Sequence, residues 1–289
     1  MDLNTLQNKK ILITGASGQL AKELANNLAR SQILFVAPAE NDCDITNSKT
    51  MNDTINRSGA DIIINYAAYN QVDLAEENRE TVFAVNTRAV ENLASICKDN
   101  NLTLVHFSSD YVFDGEKSDL YTEADEPNPL NVYGESKRAG EESLIRINPH
   151  FLIFRLRWVV GPGQQNFIFK LNQLALKNHV LKITADECSV PTFANTIVDI
   201  TLQSLSKGLT GLYHLTNSGY ASRYELSRQY LKETKKENII VPVPLGYFPT
   251  KAKRPRFSAM SNKKLQNALN TVIPHWEKDL KRYCQLNPS

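Results

Sequence analysis

The architecture of the chain follows from one stretch near its N-terminus, Lys10-Ile11-Leu12-Ile13-Thr14-Gly15-Ala16-Ser17-Gly18-Gln19-Leu20-Ala21. Its apolar run predicts a buried strand, and a helix is predicted from about residue 19 to residue 30. Glycines between the two permit a tight turn and let backbone N–H groups approach a pyrophosphate, which the positive end of the helix also attracts. A plain tight turn is the alternative, and we favour dinucleotide binding. The candidate cofactor-binding residues of this turn are Gly15, Ser17, Gly18, Gln19 and Leu20.

Strands and helices alternate through the first half of the chain. Further strands are predicted at 33–36, 61–65, 102–107 and 151–155. Further helices are predicted at 47–58, 79–99 and 131–148. Because the Ile, Leu and Val residues form continuous runs rather than alternating with polar residues, we expect the strands to be covered on both faces. The pattern therefore predicts an α/β fold with a doubly wound parallel sheet.

The regular alternation ends near residue 158. Gly161-Pro162-Gly163 interrupts the chain, and four prolines between residues 242 and 255 mark an irregular segment. We expect residues 1–158 to form an NAD(P)-binding domain. Residues 159–289 are expected to form mainly a smaller α+β substrate-binding lobe, from which segments can return to the sheet.

Composition excludes several classes of protein. The 289 residues are 42% hydrophobic and 22% charged, as in ordinary globular proteins, and the net charge of +2 gives no strong attraction to nucleic acid or membranes. No apolar run is long enough to span a membrane, and the first ten residues do not resemble a signal peptide. The four cysteines show neither metal-site nor disulfide spacing. We therefore expect a cytoplasmic protein with no nucleic-acid or membrane partner.

The ends of the second and third predicted strands supply further cofactor candidates. After the second strand neither an acid nor an arginine follows at once, so NADPH and NADH both stay open as the cofactor. Asp44 and Ile45 are candidates for contact with the adenine, and a turn or helix-cap role for Asp44 is equally open. The third strand ends at Ala67, Ala68 and Tyr69, where small residues would let the backbone pass close to a ribose or simply pack in a loop.

Tyr133 and Lys137 form the main candidate for chemistry. They stand four residues apart where a helix is predicted to begin, so both side chains share one face. An ammonium beside a phenol is expected to lower the pKa of Tyr133, which could then exchange a proton with a carbonyl or alcohol oxygen. Ser108 and Ser109, at the end of the fourth strand, offer a hydroxyl to such an oxygen, or occupy a turn.

Three motifs resemble the extended short-chain dehydrogenases, and within them the dTDP-4-dehydrorhamnose reductase family. They are Thr14-Gly15-Ala16-Ser17-Gly18-Gln19-Leu20, Ser108-Ser109-Asp110-Tyr111-Val112-Phe113-Asp114-Gly115 and Pro129-Leu130-Asn131-Val132-Tyr133-Gly134-Glu135-Ser136-Lys137. The resemblance extends over nearly the whole chain. It implies a Rossmann-type fold and an NAD(P)H-dependent reduction at C4 of a nucleotide-linked 4-keto-6-deoxy sugar, most closely dTDP-4-dehydro-L-rhamnose to dTDP-L-rhamnose.

The same resemblance implies roles for individual residues. The catalytic group would be Ser109, Tyr133 and Lys137, with Tyr133 protonating the sugar oxygen and Lys137 also holding the nicotinamide ribose. Matches to substrate-side positions are Asp110, Tyr111 and Trp158, and for Trp158 a place as a core aromatic is equally open. Arg254 belongs to a basic cluster with Lys251, Lys253 and Arg256, which would hold the nucleotide diphosphate or form a solvated face.

Two departures from the family pattern matter. Ser189 replaces a glycine on the substrate side, which leaves the exact sugar open. Some members dimerise through metal-binding glutamates; Glu23 fits one such position, but Asn195 replaces another, so we predict no structural metal and keep a homodimer as an expectation. Two other functions stay open: epimerisation or dehydration of a nucleotide sugar, and a non-catalytic regulatory subunit that binds a dinucleotide.

Overall fold

The structure is a computed structural model that describes residues 3–147 and 150–287. The strands are β1 (Lys10–Thr14), β2 (Leu34–Val36), β3 (Ile62–Asn65), β4 (Thr103–Ser109), β5 (Phe151–Leu156), β6 (Val159–Val160), β7 (Val180–Thr184), β8 (Cys188–Ser189), β9 (Thr192–Phe193), β10 (Gly211–His214), β11 (Ala221–Ser222) and β12 (Ile239–Val243). The α-helices are α1 (Gln19–Arg30), α2 (Ser48–Ser58), α3 (Val72–Ala75), α4 (Arg79–Phe83), α5 (Ala89–Asp99), α6 (Val132–Ile147), α7 (Phe167–Lys177), α8 (Ala194–Ser206), α9 (Arg223–Glu233), α10 (Lys263–Leu269) and α11 (Trp276–Leu286).

A six-stranded parallel sheet in the order β10-β5-β4-β3-β1-β2 forms the centre of the molecule. The predicted α/β fold with a doubly wound sheet is confirmed. The predicted strands and helices of the first half correspond closely to β1–β5 and to α1, α2 and α6, although residue 148 lies outside the described residues. The helix predicted over 79–99 is instead divided into α4, a π-helical turn at Ala84–Arg88, and α5.

Helices cover both faces of this sheet, as the continuous apolar runs predict. On one face Ile11 and Ile13 of β1 pack with Leu24 of α1. On the other face Leu12 packs with Leu93 of α5. Successive side chains of a strand point to opposite faces, so a run without polar interruptions is stable only where both faces are buried.

The second half of the chain divides between the sheet and a separate apolar cluster. Strand β10 pairs with β5 at one edge of the main sheet, and α8 packs against α1. A third cluster joins α7, α9 and α11 through Leu171, Leu226 and Leu280, beside the parallel pair β7 and β12. Among the described residues, no helix is long and apolar enough to cross a membrane.

The strand order indicates where a ligand site is expected. Strand β1 lies between β2 and β3, so the chain leaves β1 to one side and then continues on the other. In open parallel sheets ligands bind beyond the carboxyl ends of the strands at such a reversal. Gly15 follows β1 and Tyr66 follows β3, which places the sequence-predicted glycine turn at this point.

Candidate functional site

The glycine turn lies against the end of β3. Gly15 has a φ of 65°, and a Cβ atom added there would lie 2.6 Å from the backbone nitrogen of Ala67. Only glycine fits this combination of positive φ and close approach. The Gly18 N–H donates to the Gly15 oxygen at 2.9 Å, and α1 then begins without a side-chain cap from any described residue. The first N–H groups of α1 are therefore left without a side-chain acceptor, which is the arrangement that a bound phosphate requires.

Side chains in the glycine turn differ in what they contact. Ser17 is exposed and Leu20 packs against the core beneath α1. The Gln19 amide, oriented to satisfy its neighbours, donates to the Pro162 oxygen at 3.1 Å and accepts from the Gly161 N–H at 3.2 Å. The Gln19 side chain therefore joins the glycine turn to the loop after β6, and its backbone N–H opens α1. The contact with the loop after β6 was not foreseen from the sequence.

Asp44 and Ile45, the candidates for contact with the adenine, differ in what their side chains do. Asp44 Oδ1 accepts from the backbone N–H and the hydroxyl of Thr46, at 2.9 and 2.7 Å, so its side chain closes a turn. Helix α2 is capped by Asn47 rather than by Asp44. Ile45 is buried in the core next to Met51, which leaves its backbone as the part able to face a ligand.

The loop after β3 is held by a residue that sequence reasoning missed. The side-chain amide of Asn86, in the π-helical turn, accepts from the backbone N–H of Tyr69 at 2.9 Å and donates to the backbone carbonyl oxygen of Tyr69 at 3.1 Å. Its amide also donates to the Ser136 hydroxyl on α6 at 3.0 Å. Ala67 and Ala68 lie half-buried in the same loop. Asn86 thus ties the candidate ribose loop to the helix that carries Tyr133 and Lys137.

Tyr133 and Lys137 are both buried on one face of α6. Burial raises the pKa of Tyr133 to about 12, with Ser109 acting in the opposite direction, and the Tyr133 hydroxyl donates to Asn70 Oδ1 at 3.5 Å. Burial also lowers the pKa of Lys137 to about 8 against the attraction of Glu141. The Lys137 Nζ atom donates to the Phe107 carbonyl oxygen at 2.5 Å. The pKa of Tyr133 is therefore raised, opposite to the predicted direction, because burial is the largest cause.

Asp110 is a fully buried anchor rather than a surface group. Its Oδ1 accepts from Arg157 Nη1 at 3.1 Å and from the Ser109 hydroxyl at 3.2 Å. Its Oδ2 accepts from the Ser189 hydroxyl at 3.0 Å and from the Ser258 hydroxyl. The Asp110 carboxylate therefore holds neighbouring groups in place, and its predicted place on the substrate side stays a prediction. Ser189, the departure from the family glycine, supplies one of the four donors.

A series of contacts between aromatic rings and cations extends from Tyr133. The Tyr111 ring meets the Tyr133 ring edge-on, with 5.7 Å between centroids, and the Arg157 guanidinium lies 3.8 Å from the Tyr111 centroid. Trp158 has a φ of 39°, unusual for a bulky residue, and lies under the guanidinium of Arg223 at 4.5 Å. Arg223, which also pairs with the buried Glu187, was not identified from the sequence.

A cavity of about 650 Å³ opens beside the start of α6. Its wall includes Leu130, Phe248, Lys251, Lys253, Arg254 and Arg256. The amide of Asn131 donates to the Lys253 oxygen at 2.8 Å, which joins this basic loop to the turn that precedes Tyr133. Arg254 makes two hydrogen bonds to Asp73, at 2.7 and 3.1 Å. The predicted basic cluster therefore borders a concave space and is joined to the turn that precedes Tyr133.

Comparison with known proteins identifies the family. The family model described as RmlD substrate binding domain matches residues 9–287. The chain belongs to this family. The family resemblance predicted from the three motifs is confirmed.

Members of this family match the chain over nearly its full length. A dTDP-4-dehydrorhamnose reductase of Aggregatibacter actinomycetemcomitans is 34% identical, over 94% of this chain and 97% of that protein. The crystal structure of a dTDP-4-dehydrorhamnose reductase from Clostridium acetobutylicum, 32% identical, matches with a TM-score of 0.92 over 96% of this chain and 99% of that one. The crystal structure of a dTDP-4-dehydrorhamnose reductase from Bacillus anthracis in complex with NADP is 29% identical and matches with a TM-score of 0.93, over 96% of this chain and 99% of that one.

Proposed function

We propose that the protein is an NADPH-dependent reductase that converts dTDP-4-dehydro-L-rhamnose to dTDP-L-rhamnose. The observation that carries the proposal is that Tyr133 shares a face of α6 with Lys137 and that its hydroxyl lies 3.5 Å from Asn70 Oδ1, in the loop after β3 that also meets Gly15. Full-length similarity to dTDP-4-dehydrorhamnose reductases supports the substrate class. The Bacillus anthracis relative, whose structure contains NADP, supports NADPH over NADH.

The cradle at Gly15 fits a dinucleotide, and the reduced nicotinamide supplies a hydride when bound. Backbone N–H groups at the start of α1 would hold its pyrophosphate, since they carry the positive end of the helix dipole. The residues proposed to bind the cofactor are Gly15, Ser17, Gly18, Gln19, Leu20, Asp44, Ile45, Ala67, Ala68, Tyr69, Tyr133 and Lys137. Residues 1–158 would supply most of these contacts, and residues 159–289 would mainly bind substrate.

Tyr133 is proposed as the general acid. A pKa raised to about 12 by burial keeps its hydroxyl protonated at neutral pH, so a proton is present when the sugar oxygen gains charge. An alkoxide is a stronger base than a phenolate, and the transfer from Tyr133 is therefore downhill. Ser109, hydrogen-bonded to Asp110, is proposed to orient the same oxygen.

Substrate binding is assigned to the other side of Tyr133. Tyr111 and Trp158 present aromatic surface for the sugar, and Arg254 with its neighbours in the cavity offers donors to the diphosphate. Asp73 holds Arg254 in place through two hydrogen bonds. Asp110 is proposed to belong to the same substrate side, where it holds Ser109 and Arg157 in place.

One assay tests this proposal against its alternatives. The protein is mixed with NADPH or NADH and the dTDP-4-keto-6-deoxy sugar, and the absorbance of the reduced nicotinamide is followed. Oxidation of one cofactor per sugar is expected, faster with NADPH. An altered sugar with unconsumed cofactor would instead indicate an epimerase or dehydratase, and cofactor binding without turnover would indicate a regulatory subunit.

We also propose a cytoplasmic homodimer without a structural metal. Free thiols at all four cysteines agree with a reducing compartment. Within residues 3–147 and 150–287, no group of three or more His, Cys, Asp or Glu side chains is placed to hold a metal ion. Light scattering with and without chelator measures the assembly, and a mass unchanged by chelator is the expected result.

A further inference from the structure

A chain of buried polar contacts runs from the cofactor loop to Lys137. The Ala67 N–H donates to Asn65 Oδ1 at 3.1 Å, and Asn65 Nδ2 lies 3.2 Å from His106 Nδ1. On the other side of the ring, His106 Nε2 lies 3.5 Å from Lys137 Nζ. Asn65, His106 and Lys137 are each about 1% exposed. The chain therefore joins β3, β4 and α6 beneath the candidate site, out of contact with solvent.

The contacts at Asn65 determine the tautomer of His106. A backbone N–H can only donate, so the amide atom of Asn65 that faces the Ala67 N–H must be its oxygen. The same oxygen accepts from the Thr14 hydroxyl at 2.5 Å. The Asn65 NH₂ group must then point at His106 Nδ1, which becomes an acceptor. Burial, and next the charge of Lys137, hold the pKa of His106 well below its ordinary value. The ring is therefore neutral, with its proton on Nε2.

That tautomer directs an N–H group at the side chain of Lys137. An ammonium has only donors, so it cannot form a hydrogen bond with Nε2–H. An uncharged amine can accept from Nε2–H while it donates to the Phe107 oxygen. We propose that Asn65 and His106 are positioning residues that favour the uncharged amine of Lys137 and so set the pH at which its ammonium gives up a proton.

The charged side chains around α6 do not cancel the influence of His106 on the pKa of Lys137. Glu141, one turn beyond Lys137, favours the ammonium, but its carboxylate is itself bound by Arg155 Nη2 at 2.6 Å. Neighbouring elements place further charged side chains along α6, and each has a partner in the protein: Glu76 with the Val132 N–H, Arg79 with Glu135, Glu91 with Arg146, and Asp110 with Arg157. Burial remains the largest influence and lowers the pKa of Lys137 to about 8.

The consequence for turnover rests on the proposed reductase function. After Tyr133 has given its proton to the sugar oxygen, its phenolate must be reprotonated. A lysine that titrates close to neutral pH can supply this proton, whereas one with an ordinary pKa holds it more tightly. Activity should therefore decline as the pH rises through the titration of Lys137.

Nuclear magnetic resonance of ¹⁵N-histidine-labelled protein tests the tautomer without turnover. The His106 resonances, assigned by their loss in His106→Gln, are expected to report a neutral ring protonated on Nε2 at pH 7. A ring protonated on Nδ1, or an imidazolium, would overturn the proposal. Because this experiment needs neither substrate nor cofactor, it stands even if the reductase assay fails.

A pH titration tests the effect on Lys137. In His106→Gln the flexible amide can turn its oxygen toward Nζ, so the titration of Lys137, read from its ¹³Cε resonance, should move up by about one pH unit. The alkaline limb of kcat/KM should move with it. The matched control is His179→Gln, which changes an exposed histidine and should move neither. A folded His106→Gln variant whose Lys137 titrates as in the unmodified protein would contradict the assignment.

Discussion

Two basic regions border the candidate site, and they differ in their exposure to water. Lys137 is buried in α6, where its Nζ atom donates to the Phe107 oxygen and burial lowers its pKa to about 8. Lys251, Lys253 and Arg256 are exposed on the wall of the cavity and keep their hydration. The difference teaches that the same kind of charge serves different purposes: a buried cation is suited to proton transfer, and exposed cations are suited to attracting an anionic substrate.

The largest loss of activity should come from a change in the buried region around Lys137. Tyr133→Phe removes the hydroxyl proposed to protonate the sugar oxygen, so kcat should fall by about 10²- to 10⁴-fold. Cofactor affinity, measured by fluorescence titration, should stay close to that of the unmodified protein. The control is Tyr66→Phe, which removes a buried hydroxyl that has no hydrogen-bond partner among the described residues. Near-normal turnover in Tyr133→Phe would remove this tyrosine as the proton donor.

The buried ion network, which consists of Arg157, Asp110 and Glu187, should contribute strongly to the free energy of unfolding. Arg157→Met leaves the carboxylates of Asp110 and Glu187 without one of their buried partners. We expect the free energy of unfolding to drop by about 3–5 kcal/mol in urea titrations, because an unpaired buried charge is costly. Arg228→Met, at an exposed position, should change it by less than about 0.5 kcal/mol. Equal losses in both variants would contradict a special role for burial.

The lowered pKa of Lys137 also predicts how stability depends on pH. Its pKa is about 8 in the folded protein and 10.5 for a fully hydrated lysine, as in the unfolded chain, so between these values the unfolded chain binds more protons. This residue therefore makes stability rise with pH across that window, by about 3 kcal/mol. Lys137→Met should remove the rise, and Lys278→Met, at an exposed lysine, should retain it. Parallel stability curves for all three proteins would show that Lys137 titrates normally.

A substitution in the basic wall of the cavity should give the smallest change in activity. This change should depend on the salt concentration. Arg254→Gln removes donors from the cavity and frees the carboxylate of Asp73, so KM for the nucleotide sugar should rise about tenfold with kcat little changed. The increase should shrink at high ionic strength, where charges near the surface are screened. Lys281→Gln, a remote exposed change, serves as the control. A lower kcat at unchanged KM would assign Arg254 to the chemical step instead.

The central sheet was predictable from sequence because its apolar runs are local and continuous. Strands β1, β3 and β4 carry Ile, Leu and Val on both faces, which few other structures tolerate. The π-helical turn at Ala84–Arg88 could not be foreseen. It places Asn86 against Tyr69 and Ser136, which are 17 and 50 residues away, and no local pattern encodes such distant partners.

The candidate site was predictable where spacing alone brings residues together. Tyr133 and Lys137 share a face of α6 because they stand four residues apart. Their pKa values were not predictable, since these depend on how completely other elements bury the two side chains. Glu187 and Arg223 were missed for a related reason: isolated charged residues carry no motif, and only the fold brings them to Arg157 and Trp158.

The most direct test of the account follows the fate of the hydride. The protein is incubated with NADPH carrying deuterium at C4 of the nicotinamide, in the transferable position, together with dTDP-4-keto-6-deoxy sugar, and the product is analysed by mass spectrometry and NMR. We predict one deuterium at C4 of the reduced sugar for each NADPH consumed. A sugar that is altered without deuterium, or unaltered while the protein binds cofactor, would contradict the assignment as a reductase.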